Sequence, residues 1–342
     1  MAASGVLLLA PPGHGHSSAV PVSAALAWPR AQRGSFPADL PDGTAYTPAW
    51  FVNARTSIGT APSRDGHWLR LVVRKADGSL RQLRRLSTGD DPAFRAVTVS
   101  GDVVVWAEAR GDQPPRLWSV NLRDGRPPRQ LTADTGQSRF YQSDYDLVIA
   151  DGRARWVAAD DNDVTELRSV ALTGGPVQVT AEAGTWQLSV WPWLVDGLTA
   201  ASGTTRLRNV VTGRDVAVSP NRTAVTNCSP HWCRVVSLTG DGFPRIDLMH
   251  PDGTDRRKVA EGPVETAVAD VGALDRFEVY AQTGGNADLT GNVQLMVYDI
   301  AGRRTVQISP DAANVAYRGG VLWWSTGSRD LFLRHSLDLR TI

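Results

Sequence analysis

Residues 99–132, VSGDVVVWAEARGDQPPRLWSVNLRDGRPPRQLT, read as three short strands separated by turn chemistry, and the rest of the chain repeats the pattern. Val103, Val104, Val105 and Trp106 form an apolar run. Residues 117–122 then alternate Leu, Ser and Asn against Trp, Val and Leu, and an Asp124-Gly125 turn leads into Gln130-Leu131-Thr132. Gly, Pro and Asp bound these runs because they supply the backbone angles that tight turns need. With 94–100 in front, the unit has four strands. One such unit is too small to bury its own apolar faces, so successive units must stack on each other.

The unit is legible from residue 44 onward. LRLVVRKADGSLRQLRRLSTG in the first copy lines up with RLWSVNLRDGRPPRQLTADTG in the second, and further copies cover about 140–180, 186–219, 223–260, 264–309 and 314 to the end. Four-strand units spaced by about 40 to 45 residues predict an all-β fold, a seven-bladed β-propeller of four-stranded antiparallel blades, with six blades as the alternative count. Trp106, Trp156, Tyr280 and Trp324 share one place in the second strand, where a large flat side chain would fill the wedge between neighbouring blades. Leu131, Val179, Val218, Val259 and Ile308 end the outermost strand. The last copy stops after its third strand, 331–337, and a bare outer edge would leave a row of backbone donors and acceptors unpaired. The missing strand is therefore expected from the N-terminal side, from 24–28 and its continuation toward Phe36, with 45–52 as the second choice.

Residues 1–10 hold a short apolar core followed by Pro11-Pro12-Gly13, and no Arg or Lys occurs before Arg30. The stretch is too short to span a bilayer. It reads as the end of a secretory signal, with Ala25-Leu26-Ala27 as a small-x-small cleavage pattern, or else as a disordered leader. The organisation expected is thus a leader over 1–27, a linker able to hold the closing strand over 28–43, and the propeller over 44–342. The net charge of +1, from 36 basic and 35 acidic residues, leaves no electrostatic footprint for nucleic acid or an anionic membrane surface. The densest basic cluster, Arg81, Arg84 and Arg85, alternates with leucines on a predicted strand.

The repeats at 117–132, 166–180 and 294–309, an alternating outer hairpin closing on Asp-Gly, Gly-Gly or Ala-Gly and then Gln-Leu-Thr or its variants, resemble the WD40-like propeller repeats of the TolB family. The resemblance runs over about 44–342 as a repeat pattern and implies a propeller of the bacterial cell envelope that binds other molecules. The Ser-Pro-Asp-Gly turn of such repeats survives here as Ser63-Arg64-Asp65-Gly66, and no counterpart is seen of the separate N-terminal α/β domain that TolB carries.

Cys228 and Cys233, in NCSPHWC, flank a turn between two predicted strands, and a pair at a hairpin end can meet disulfide geometry. A disulfide is the expectation. The rival, a reduced pair binding metal with His231, falls short of a zinc site because no second cysteine pair is present. Asp160, Asp161 and Asp163, with Asn162 among them, could hold calcium through their oxygens, yet the loop lacks the Gly and closing Glu of an EF-hand and reads as a solvated acidic turn. Trp191-Pro192-Trp193 could offer an aromatic platform; the expectation is that one Trp packs into the blade and the other caps the turn. There is no Gly-x-Ser-x-Gly elbow, no Gly-x-x-x-x-Gly-Lys loop and no His-Glu-x-x-His. No catalytic residue and no cofactor is assigned. The function expected is that of an exported, monomeric scaffold for a protein or envelope component. The alternative is a metal-assisted hydrolase or lyase at the channel mouth, which three carboxylates or imidazoles converging from different blades would favour.

Overall fold

The structure is a computed structural model, and it describes residues 21–140, 143–160, 163–197, 203–218, 223–283, 291–327 and 332–342. The described residues form antiparallel sheets that follow one another in chain order. The first joins Thr47–Asn53, Thr56–Pro62, Trp68–Lys75 and Leu80–Ser87; the second joins Pro92–Ser100, Val103–Arg110, Arg116–Asn121 and Arg129–Thr132. The third is built on Arg153–Asp160, Val164–Ala171 and Gln178–Ala183, the fourth on Trp186–Leu188 to Asp215–Ala217, and the fifth on Ala224–Cys228 to Arg257–Glu261. These strands coincide closely with the repeat units read from the sequence, and the fold is that of an all-β propeller.

The remaining strands make one eight-stranded sheet because Arg304–Arg318 belongs to two strand groups. Its first part pairs with Val293–Asp299 of a penultimate group. From Ala313 it pairs instead with Val321–Thr326 of the last group, which continues to Leu333–Asp338.

The apolar runs are continuous, not alternating, because each second strand is covered on both sides. Successive side chains point to opposite faces. Val104 and Trp106 pack back onto Ile58 and Leu71 of the first sheet, whereas Val105 and Ala107 pack forward onto Trp156 of the third. Trp156 in turn faces the second sheet and Val157 the fourth, through Trp186 and Leu188. Leu194 and Val195 divide the same way between the third and fifth sheets. Tyr280 packs with Trp232 and Ile246 of the fifth sheet, and Trp324 with Val279 and Leu295 of the penultimate group. Trp106 and Trp156 are fully buried, and the four aromatic residues that the repeat places in one column all sit against the preceding sheet. Truncating such a side chain costs about 3–5 kcal/mol.

The N-terminal segment differs from its reading in detail. Ala24–Ala27 is a single helical turn, not a strand, and the segment that pairs with Leu333–Asp338 is Arg33–Pro37, in the register Ser35 to His335. The physical reason lies in burial: Phe36 fits between Phe51 of the first sheet and the last group, and Phe51 stands 5.0 Å from Trp323. Val22–Ser23 lies parallel on Val306 and Gln307, and Ala24 and Trp28 enter the core beside Phe277. Residues 22–27, expected in the leader, are thus packed against the sheets; residues 1–20 lie outside the described part. Among the described residues no helix is long and apolar enough to cross a membrane.

Candidate functional site

The site arises where the first strand of the third sheet is interrupted. Gln137–Ser138 pairs with Ala158 and Ala159, Arg139 N–H donates to the Val157 carbonyl, and among the described residues that follow the strand pairs again at Val148–Ala150. Between them, Ser143–Asp146 leaves the sheet and reaches the penultimate and last strand groups. The Ser143 hydroxyl donates to Asp270 Oδ1 at 3.2 Å, and the Asp144 N–H points at the same oxygen at 3.4 Å. The Gly319 N–H donates to both carboxylate oxygens of Asp144, at 2.9 and 3.1 Å. Position 319 must be glycine: its φ is +57°, and a Cβ there would lie 2.3 Å from the Trp50 ring.

Asp270 sits on the segment between Val264–Thr266 and Phe277–Gln282, and a buried ion pair holds that segment. Arg234 and Glu278, 2% and 0% exposed, bond to each other. Arg234 also donates to the Ala269 and Asp270 carbonyls, and Glu278 accepts the Gly272 N–H at 3.0 Å. With its guanidinium committed in this way, Arg234 fixes the backbone that carries Asp270, and its charge adds to that of Arg318 in opposing the effect of burial on the Asp270 carboxyl. Arg318 approaches Asp270 Oδ2 at 3.8 Å, too far for a hydrogen bond, and that oxygen has no hydrogen-bond partner although Asp270 is only 7% exposed.

Two carboxylates from different sheets therefore share one buried region. Burial and the neighbouring Asp270 charge push the Asp144 carboxyl up to about 7, against the pull of the Gly319 N–H, Arg318 and Arg340. Burial likewise raises Asp270, with Arg318 opposing it. The Tyr145 and Tyr317 phenols are raised by burial and by both aspartates, so the region holds neutral hydroxyls around the two acids.

Two cavities of about 400 Å³ each meet at Ser143. One is lined by Pro48, Phe94, Asp144 and Arg318, from the first, second, third and last groups. The other is lined by Tyr145, Gln187, Asn227 and Asp270, from the third, fourth, fifth and penultimate groups. First strands or the segments adjoining them supply most of the walls, with Val195, Arg234 and Trp323 from second strands, and the polar groups that converge are carboxylates, amides, hydroxyls and the guanidiniums of Arg95, Arg234 and Arg318.

The residues singled out from sequence fall as follows. Cys228 and Cys233 are joined by a disulfide across the paired hairpin positions, and Cys228 lines the second cavity. Asp160 ends its strand, Asp163 accepts the Thr185 hydroxyl at 2.8 Å, and Asp161 lies outside the described residues. Among the described residues no group of three His, Cys, Asp or Glu side chains is placed to hold a metal. His231 approaches Asp275 at 3.0 Å and His250 stacks on Trp232, away from Asp144 and Asp270. Trp193 packs into the core between the fourth and fifth sheets, while Trp191 lies under the Arg155 guanidinium and donates to Asp151. The Arg81, Arg84 and Arg85 cluster is engaged within the fold: Arg81 donates to the Leu122 carbonyl, Arg84 forks onto Glu108 and Arg85 covers the Trp68 ring. Asp144, Asp270, Gln187 and Asn227 were not singled out, because they come from four sheets and share no local spacing.

No protein-family model and no curated protein matches the chain. Solved structures do resemble it. A Mycobacterium tuberculosis puromycin-hydrolyzing peptidase aligns with a TM-score of 0.50 at 17% identity, over 92% of this chain and 53% of its own. The uncharacterized protein lmo1340 from Listeria monocytogenes EGD-e aligns with a TM-score of 0.53 at 7% identity, over 82% of this chain and 88% of its own. TolB from Acinetobacter baumannii aligns with a TM-score of 0.43 at 11% identity, over 75% and 65%. At these identities the likeness is one of fold, and the chain spans about half the length of the peptidase.

Proposed function

We propose that this chain is an exported or cell-envelope propeller of seven blades, a rigid, monomeric scaffold that binds a protein or envelope component over the axial face where its two cavities meet. The observation that carries the reading is the distribution of the cavity walls: together they draw on every strand group in turn, from Pro48 in the first to Arg318 in the last. Closure of the ring by Arg33–Pro37 is supported by its pairing with Leu333–Asp338 and by the Phe36, Phe51 and Trp323 cluster between the first and last groups. The propeller then comprises 44–342 with 33–37 as its closing strand. The disulfide supports an oxidising compartment, where such bonds persist.

A second reading, metal-assisted hydrolysis or lysis at the channel mouth, draws on the facing Asp144 and Asp270. Those two carboxylates fall one short of the three that would favour it. The experiment places a photo-crosslinking residue in the full chain at Arg95 or Ala269, both exposed and lining the cavities, or at Val179 on an outermost strand. Capture of one discrete envelope component from the two axial positions, and none from Val179, is the expected result. Equal capture at all three sites would contradict the reading. So would turnover of amide or ester substrates that depends on added calcium, manganese or zinc and is lost in Asp144→Asn.

A further inference from the structure

We propose that the cavity between the third and penultimate groups is a binding site for an uncharged saccharide. This deepens the reading of the axial space as a binding face and rests on it, but it needs no protein partner. The wall carries neutral polar groups that the fold leaves open. Among the described residues, the Tyr145 phenol, the Ser189 hydroxyl and the side-chain nitrogens of Gln187 and Asn227 have no hydrogen-bond partner. The oxygen ends of the two amides are closed off from the surface, whereas these four groups are not. Thr266, an exposed residue, brings a further hydroxyl to the same space. The five side chains come from the third, fourth, fifth and penultimate groups, so only the packing of the sheets brings them to one place.

The chemistry of the occupant follows from what the wall offers and what it withholds. Its charged side chains already face opposite charge: Arg234 is bonded to Glu278 and two carbonyls, and Asp270 lies in ion-pair range of Arg318. A charged ligand group would therefore leave water without a counter-charge of its own, which is costly. A purely apolar ligand would strip water from the open hydroxyls and amide nitrogens and return no hydrogen bond. A sugar hydroxyl both donates and accepts, so its oxygen meets an amide N–H and either end meets a Ser, Thr or Tyr hydroxyl. A peptide N–H can only donate, and the open side chains include no obligate acceptor to receive it. Leu188, Val195, Val268 and Val271 give apolar surface for the C–H faces of a sugar ring. The volume of about 400 Å³ lies in the range of small-molecule sites and leaves room for a short saccharide.

The test is titration calorimetry on the full chain with maltose, cellobiose and N,N′-diacetylchitobiose, using glucuronate, n-butanol and the neutral peptide N-acetyl-dialanine amide as comparison compounds. Saturable binding of at least one of the saccharides, tighter than that of any comparison compound, is expected. Asn227→Leu, at a half-buried position, should weaken that binding roughly two- to tenfold, the share of one hydrogen bond. Thr266→Val, at an exposed position, should do the same and serves if Asn227→Leu does not fold. Absence of saturable saccharide binding, unchanged affinity in the folded variant, or binding of glucuronate, n-butanol or the peptide as tight as that of the saccharide would overturn the proposal. The scaffold reading fails separately, if the crosslinkers at Arg95 and Ala269 capture nothing specific.

Discussion

Asp144 is held by two opposed demands: the Gly319 N–H favours its charge, and burial beside Asp270 disfavours it more strongly. The sign of the pH effect follows. A carboxyl raised from 3.8 to about 7 binds its proton more tightly folded than unfolded, so between those values the folded state carries more protons. Its contribution to stability is therefore present at low pH and lost as pH rises through 7. At ~1.4 kcal/mol per unit, the full chain should lose roughly 2 to 3 kcal/mol between pH 5 and pH 8 from this group. Asp144→Asn keeps an acceptor for Gly319 and should lack that component; denaturant unfolding at both pH values measures the difference, and identical slopes would refute it. Nothing in the sequence marked this residue. Asp144 lies in a Ser-Asp-Tyr-Asp stretch that reads as an ordinary turn, and its partners at 270 and 319 are brought to it only by the ring-like order of the sheets.

Elements were far more legible than the site. The continuous apolar run 103–107 announces a strand covered on both faces, because such a strand must be apolar at every position. The disulfide hairpin was legible for a similarly local reason, two cysteines flanking one turn. Interruption of the third sheet's first strand was not, since Val148–Ala150 and Gln137–Ser138 pair with one strand across a gap that no turn motif announces. The second strand of the fifth sheet carries the most consequential buried charge, Arg234, facing Glu278 on Phe277–Gln282. Removing one partner strands the other in a dry interior, so Arg234→Met should cost about 3–5 kcal/mol. The double replacement Arg234→Met with Glu278→Leu should cost much less, because no charge is left uncompensated. Thermal unfolding of the three variants checks this; a double variant as unstable as the single one would show that the pair's bonds to the 269–272 backbone matter more than its charges.

At the scale of the whole molecule, the sequence pointed to an N-terminal donor strand but placed its start too early. Residues 24–28 are rich in Ala and form a helical turn, whereas Arg33–Pro37 offers Phe36 to the crevice between first and last groups. Besides Phe36, the ends are tied by side chains: Arg334 donates to the Tyr46 carbonyl, Ser336 to Ala54 and Arg340 to Val52. Such ties between the first and last groups support the proposed closure, and a ring locked in this way would unfold at both ends together and hold the residues around its axis in fixed positions. Hydrogen exchange followed by mass spectrometry, comparing the full chain with a chain lacking residues 1–37, tests that central claim most directly. The account predicts that protection falls together at 47–62 and 321–338 when the segment is removed, with the third and fourth sheets little changed. Unaltered protection, or a loss confined to 333–338, would contradict it.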